Sequence, residues 1–128
     1  HGEIKSNISP EADRNQEMAN LVQLIGFPAI AILGHDHSVA AINTAFEEKT
    51  NIHASDILYT PLDSLNDQSL KLSAADLIER VSNTPEQLAT NELEFSGVKH
   101  ELVAQAVMGY DKIAYILIVI LPAEEEGQ

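Results

Sequence analysis

The sequence predicts an α+β domain, and three stretches carry that prediction. Residues 28–52 read as a strand, a polar turn, a second strand and a short helix. Met18, Leu21, Val22 and Ile25, and again Ala74, Leu77, Ile78 and Val81, recur at the spacing of a helix face. Ile113 to Leu121 is apolar on both parities of a strand, as in a strand covered on both sides. The expected order is a helix, two strands, short helices, a longer helix and three strands.

Ser9-Pro10-Glu11 starts the first helix: a capping hydroxyl, a proline where its missing N–H is harmless, and an acid near the positive end of the dipole. The helix is expected to run to about Ile25, with an apolar stripe of Met18, Leu21, Val22 and Ile25 that docks on its own sheet or forms a seam with a second copy. Ala29 to Leu33 and Val39 to Ile42 are strands joined by Gly34-His35-Asp36-His37. Asn43 and Thr44 can cap the short helix that follows, and Phe46 and Ile52 hold it on the sheet. Pro61 breaks Ala54 to Leu65 into short helical turns. Ser73 with Asp76 resembles a capping box opening the longer helix, which Asn83 and Pro85 end. Glu86 to Asn91 is expected to be a connector. Leu93 and Phe95 begin the strand-rich last third, turning at Ser96-Gly97 into a strand with Val98, Leu102, Ala104, Ala106 and Met108 on one face and Lys99, Glu101, Val103, Gln105 and Val107 on the other. Gly109-Tyr110-Asp111 turns the chain again, and Pro122 stops the last strand.

Composition narrows the function. The chain has 128 residues, 45% of them hydrophobic, enough for one core and too few for a multidomain enzyme. Seven Lys+Arg against twenty Asp+Glu give a net charge of -13, which repels nucleic-acid phosphates. With no cysteine, disulfides, thiolate metal sites and cysteinyl-flavin photochemistry are excluded. No apolar run reaches the roughly 18 residues of a membrane helix, so direct membrane insertion is not expected and a cytoplasmic location is, whether or not the parent protein is anchored. Neither a signal peptide nor an initiator Met opens the chain. The expected organisation is a tag remnant or disordered lead over 1–8, an amphipathic helix over 9–26, a core over 27–122 and an acidic tail or linker over 123–128.

Asn43, Phe46 and Thr50, placed after the hairpin and across the first short helix, make this segment resemble the start of a PAS domain. Asn51 stands where that family usually has glycine, a change that the left-handed tolerance of asparagine allows. The resemblance covers about Leu24 to Leu121 by element order. It implies a five-stranded antiparallel sheet with the first and last strands central, short helices and the longer helix enclosing a pocket on one face, and the N-terminal helix on the other. It further implies a small-ligand pocket lined by Ile30, Ile32, Ile57, Leu77, Val81, Leu93 and Phe95, with Asn43, Gln105 and Tyr115 as polar contacts. The implied role is sensory or regulatory, within a histidine kinase, cyclic-dinucleotide enzyme or chemoreceptor, acting by ligand binding, by homodimerisation through Met18, Leu21, Val22 and Ile25, or by both. The output domain is expected C-terminal in the same chain. The Asp-Ile-Thr that often closes such domains is replaced by Leu121-Pro122-Ala123, which departs from the usual coupling to the output. The alternative is a ligand-independent interaction module, either a degenerate PAS domain or a profilin-like scaffold.

No cluster of residues marks chemistry. His35-Asp36-His37 has a metal-ligand spacing but no third ligand nearby in sequence, and a polar hairpin tip accounts for it, as a helix start does for His53. The resemblance implies that a haem, if bound as in oxygen-sensing PAS domains, would take an axial histidine usually carried by the longer helix, and Leu72 to Gln87 contains none. His100 lies on the apolar parity of its strand and is the one candidate for an inward imidazole, with a hydrogen-bonded structural histidine as its plainer reading. Non-covalent flavin or a small metabolite stays open as cofactor. The carboxylates of Glu47-Glu48 and Asp63 to Asp67 have no nucleophile or base partner, so no catalytic or metal residue is assigned and the domain is not expected to be an enzyme.

Overall fold

A computed structural model describes residues 10–123. Five strands form one antiparallel sheet in the order β2-β1-β5-β4-β3. Helix α1 (Pro10–Leu24) precedes β1 (Ala29–Leu33) and β2 (Val39–Ile42). The short helices α2 (Thr44–Thr50) and α3 (Ala54–Ile57), a 3-10 turn (Leu62–Ser64) and α4 (Gln68–Asn83) follow, and β3 (Ala89–Phe95), β4 (Val98–Met108) and β5 (Ile113–Pro122) complete the sheet. Ser9, the lead over 1–8 and the acidic run Glu124-Glu125-Glu126 lie outside the described residues.

The apolar character of β5 on both parities follows from its place between β1 and β4. Ile116, Ile118 and Ile120 face the core under α2–α4, while Tyr115, Leu117 and Val119 face α1. Two irregularities in register tune this alternation. One falls between Ala31 and Ile32 opposite β2, so Val39 and Ile42 both face the inner core while Ala40 and Ala41 both face α1. The other, at Val107/Met108, turns Ile113 inward and Ala114 outward. Beside it Gly34 approaches the backbone so closely that a Cβ there would stand 2.1 Å from the Ile113 carbonyl oxygen.

Two expected boundaries are corrected. Helix α4 begins at Gln68, capped by Asp67, whose Oδ1 accepts from Leu70 N–H at 3.0 Å. Ser73 is therefore mid-helix, because an upstream aspartate offers a full extra turn. Strand β3 begins at Ala89, inside the expected connector. Its alternation of buried Ala89 and Leu93 with exposed Thr90 and Glu92 is that of an edge strand, whose polar outer face hides its start.

Asn43 caps α2 and also joins it to three other parts of the chain. Its Oδ1 accepts from Phe46 N–H at 2.9 Å and from Ala29 N–H at 3.1 Å. Its Nδ2 lies 3.1 Å from Val22 O, 3.2 Å from Ile25 O and 2.8 Å from Phe27 O, so two N–H groups are shared among three carbonyls. Carbonyl groups at the end of α1 and in the linker after it thus find a donor in one side chain that is itself 2% exposed. Gln23 adds a parallel clasp, donating to Ile42 O and accepting from Thr44 N–H. At the other end of α2 Asn51 adopts φ 60, the left-handed conformation its side chain tolerates, with its N–H bonded to Glu47 O. Aspartate is as good a cap as asparagine, but at position 43 it would set a carboxylate oxygen against three carbonyls. Asn43→Asp is expected to lower stability by at least about 2 kcal/mol in urea denaturation, although it preserves the cap.

Candidate functional site

On the inner face Ile30, Ile32, Ile57, Leu77, Val81 and Leu93 belong to one buried cluster, with Phe95 packed against its edge. These side chains meet because β1, β3 and α4 each present an apolar stripe to the same layer. Of these only Ile30 borders the small void within that cluster, which is lined by Ile30, Phe46, Leu62, Leu65, Leu70, Ala74, Ile118 and Ile120 and measures about 10 Å³. That is at the lower limit for one water and far below the roughly 300 Å³ of a small-ligand pocket. The inner face is packed shut in this conformation by Phe46 of α2, Leu62 and Leu65 of the following turns, and Leu70 of α4.

The expected polar contacts of this cavity are elsewhere. Gln105 is exposed and Tyr115 lies beneath α1, because the inward parity of β4 is His100, Leu102, Ala104 and Ala106 and that of β5 is Ile116, Ile118 and Ile120. Tyr115 donates its hydroxyl to Asn15 Oδ1 across the α1 interface. Asn43 is buried but commits its amide to the backbone groups described above. Neither alternation nor composition marks such a hub in sequence; its place between a strand and a helix start was the available signal.

On the outer face Met18 and Val22 dock into Ala29, Ala31, Leu33, Ala40 and Ala41, where small side chains let the helix approach the sheet. Ile25 is half-buried beyond the helix end. Leu21 stays 58% exposed and Leu24 81% exposed, and Phe27 in the linker that follows is 44% exposed. At about 3.6 residues per turn, Asn15, Met18, Ala19 and Val22 centre the docked face and Leu21 falls roughly a third of a turn away. The stripe of Met18, Leu21, Val22 and Ile25 is thereby divided between intramolecular packing and solvent.

Two polar features complete the inventory. At the β1–β2 tip Asp36 Oδ1 accepts from Ser38 N–H at 3.0 Å, and His37 takes a φ of 61. This backbone hydrogen bond is the main reason the Asp36 carboxyl is held below its ordinary value. Among the described residues no group of three or more His, Asp or Glu is arranged to hold a metal ion. At the far end of the sheet, His100 is 6% exposed, with its ring edge-on to Phe95 at a centroid distance of 5.2 Å. Its Nδ1 is 2.8 Å from Val98 O and its Nε2 3.1 Å from Lys49 Nζ. A carbonyl only accepts, so Nδ1 carries the proton and the Nε2 lone pair receives the Lys49 ammonium, an assignment fixed by the bonding pattern.

No family model and no curated protein matches the sequence. Solved structures do match in shape. The PAS domain of BvgS from Bordetella pertussis superposes with a TM-score of 0.69 at 13% identity, covering 89% of both chains. A sensory box sensor histidine kinase from Vibrio cholerae gives 0.65 at 13% identity over 95% of this chain and 99% of that one. The LOV protein of Rhodobacter sphaeroides gives 0.62 at 16% identity over 90% of this chain and 70% of that one. The fold is therefore that of a PAS domain, with the sheet order and helix placement that the resemblance implied. No helix among the described residues is long and apolar enough to cross a membrane.

Two outcomes follow from this packing. Leu70→Ala is expected to cost about 2–5 kcal/mol and to open the inner void, so that toluene raises the melting temperature of the variant and leaves the parent unchanged in a thermal-shift assay. At the hairpin tip the depressed Asp36 value means that its stabilising bond is complete above the ordinary aspartate range and is lost as pH falls through the lower folded-state value. An NMR titration following the Ser38 amide should show a midpoint below that of an aspartate in an unfolded peptide.

Proposed function

We propose that this chain is a non-catalytic regulatory PAS module of a signalling protein, of the kind found in histidine kinases, cyclic-dinucleotide enzymes or chemoreceptors, and that it acts as a homodimer through α1. The observation carrying this reading is the divided stripe of that helix. Met18 and Val22 are satisfied by the sheet, whereas Leu21, Leu24 and Phe27, three residues apart, keep large apolar side chains exposed. A second copy covers such a surface without disturbing the intramolecular docking. A cytoplasmic setting and a C-terminal output domain belong to the same reading: β5 is central in the sheet, so a shift in its packing passes directly to whatever follows it.

Binding of a small apolar ligand on the inner face is the second reading, favoured by the wholly apolar lining of the 10 Å³ void. It requires α2–α4 to open. Without that opening the module works as a ligand-independent dimeriser. Each copy carries a charge of -13, so the dimer should tighten as salt screens the repulsion. Sedimentation at physiological salt should show a dimer that Leu21→Glu and Leu24→Glu convert to folded monomers. A monomeric parent at high concentration overturns the reading.

A further inference from the structure

A cleft with a lining distinct from that of the inner void lies where α2 meets the β3–β4 hairpin. Its volume is about 550 Å³, and Pro28, Ala45, Phe95 and Val98 form its apolar walls while Lys49 and His100 supply its polar end. The walls leave apolar surface uncovered, with Val98 largely exposed. His100 does more here than fill the core edge. Its tautomer is locked by Val98 O, so its Nε2 receives one of the three N–H groups of the Lys49 ammonium and fixes that group at the cleft. Two N–H groups remain for another acceptor. Among the described residues no carboxylate stands within ion-pair distance of Lys49, and Glu47 of α2 accepts through its Oε2 from Ala54 N–H at the start of α3, at 2.8 Å.

We propose that this cleft binds a small monocarboxylate with an apolar body, its carboxylate on the Lys49 ammonium and its hydrocarbon part against Phe95, Pro28 and Val98. A positioned ammonium beside uncovered apolar walls matches both ends of such a molecule. Glu48 also lines the cleft, and its negative charge repels a dianion such as phosphate more strongly than a monocarboxylate. The Nδ1–H tautomer of His100 is kept in the complex, since Lys49 continues to donate to Nε2. The site does not depend on dimerisation or on an open inner face.

Sodium butyrate is the probe, with butyramide as its uncharged isostere and inorganic phosphate as a generic anion, all at matched ionic strength. NMR titration of the whole chain should give saturable shifts at Lys49, Phe95, Val98 and His100 with butyrate. Butyramide and phosphate should bind about tenfold more weakly, the scale of one charge-assisted hydrogen bond. Lys49→Met should weaken butyrate by a similar factor while leaving the sheet resonances in place, and Leu21→Glu should leave butyrate binding unchanged. Absence of saturation by butyrate, equal binding of butyramide or phosphate, an unaffected Lys49→Met variant, or shifts centred on Ile30 and Phe46 would each overturn the assignment. The comparison of butyrate with butyramide on the unmodified chain decides the matter even if the lysine variant folds poorly.

Discussion

The carboxamide of Asn43 is divided among backbone groups from four parts of the chain: the last turn of α1, the linker to the sheet, the start of β1 and the first turn of α2. Val22 O also accepts from Ile25 N–H, but the Ala29 and Phe46 N–H groups are buried donors for which Asn43 Oδ1 is the acceptor, and leaving such a donor unpaired costs about 1–3 kcal/mol. The rest of the structure is built around that joint. Because the linker is fixed there, α1 is directed back over the outer face of the sheet. Because Phe46 N–H is fixed there, α2 is held against the inner face. One polar side chain therefore spans the two layers that hydrophobic burial alone would leave independent.

The two layers differ in what they leave unfinished. Inside, isoleucine, leucine and valine side chains from all five strands pack around a void of about 10 Å³, as expected of an interior packed to crystal-like density. Outside, alanines at 29, 31, 40 and 41 accept Met18 and Val22, while Leu21 and Leu24 of the same helix stay exposed. A displacement of α1 thus acts on a helix whose end is tied through the Asn43 carboxamide to the start of α2. That is the physical form in which a displacement on one face reaches the other.

Much of this was legible in the sequence because it follows periodicity. The two-sided apolar run of 113–121 gives a central strand, the short side chain of Asn43 before Phe46 gives a capped helix, and Pro61 gives broken turns. What was not legible depends on departures from period. The register irregularities at Ala31/Ile32 and Val107/Met108 reset which residues face inward, and the side of the sheet that faces the helices is a tertiary fact that alternation cannot supply. Gln105 and Tyr115 were assigned to the cavity for that reason. The start of α4 was hidden because two capping patterns, at Asp67 and at Ser73, compete locally and only packing of Leu70 decides between them. The Lys49–His100 bond joins residues far apart in sequence, and no local pattern connects them.

Native-state hydrogen exchange of the Ala29 and Phe46 amides, both of which donate to Asn43 Oδ1, tests the joint most directly. If Asn43 binds the two layers into one cooperative unit, these amides exchange at the same free energy as those of Ile116 and Ile118 in the central strand, and Asn43→Ala lowers both layers together. Exchange of Phe46 and the end of α1 through separate local openings, with β5 still fully protected, would contradict it.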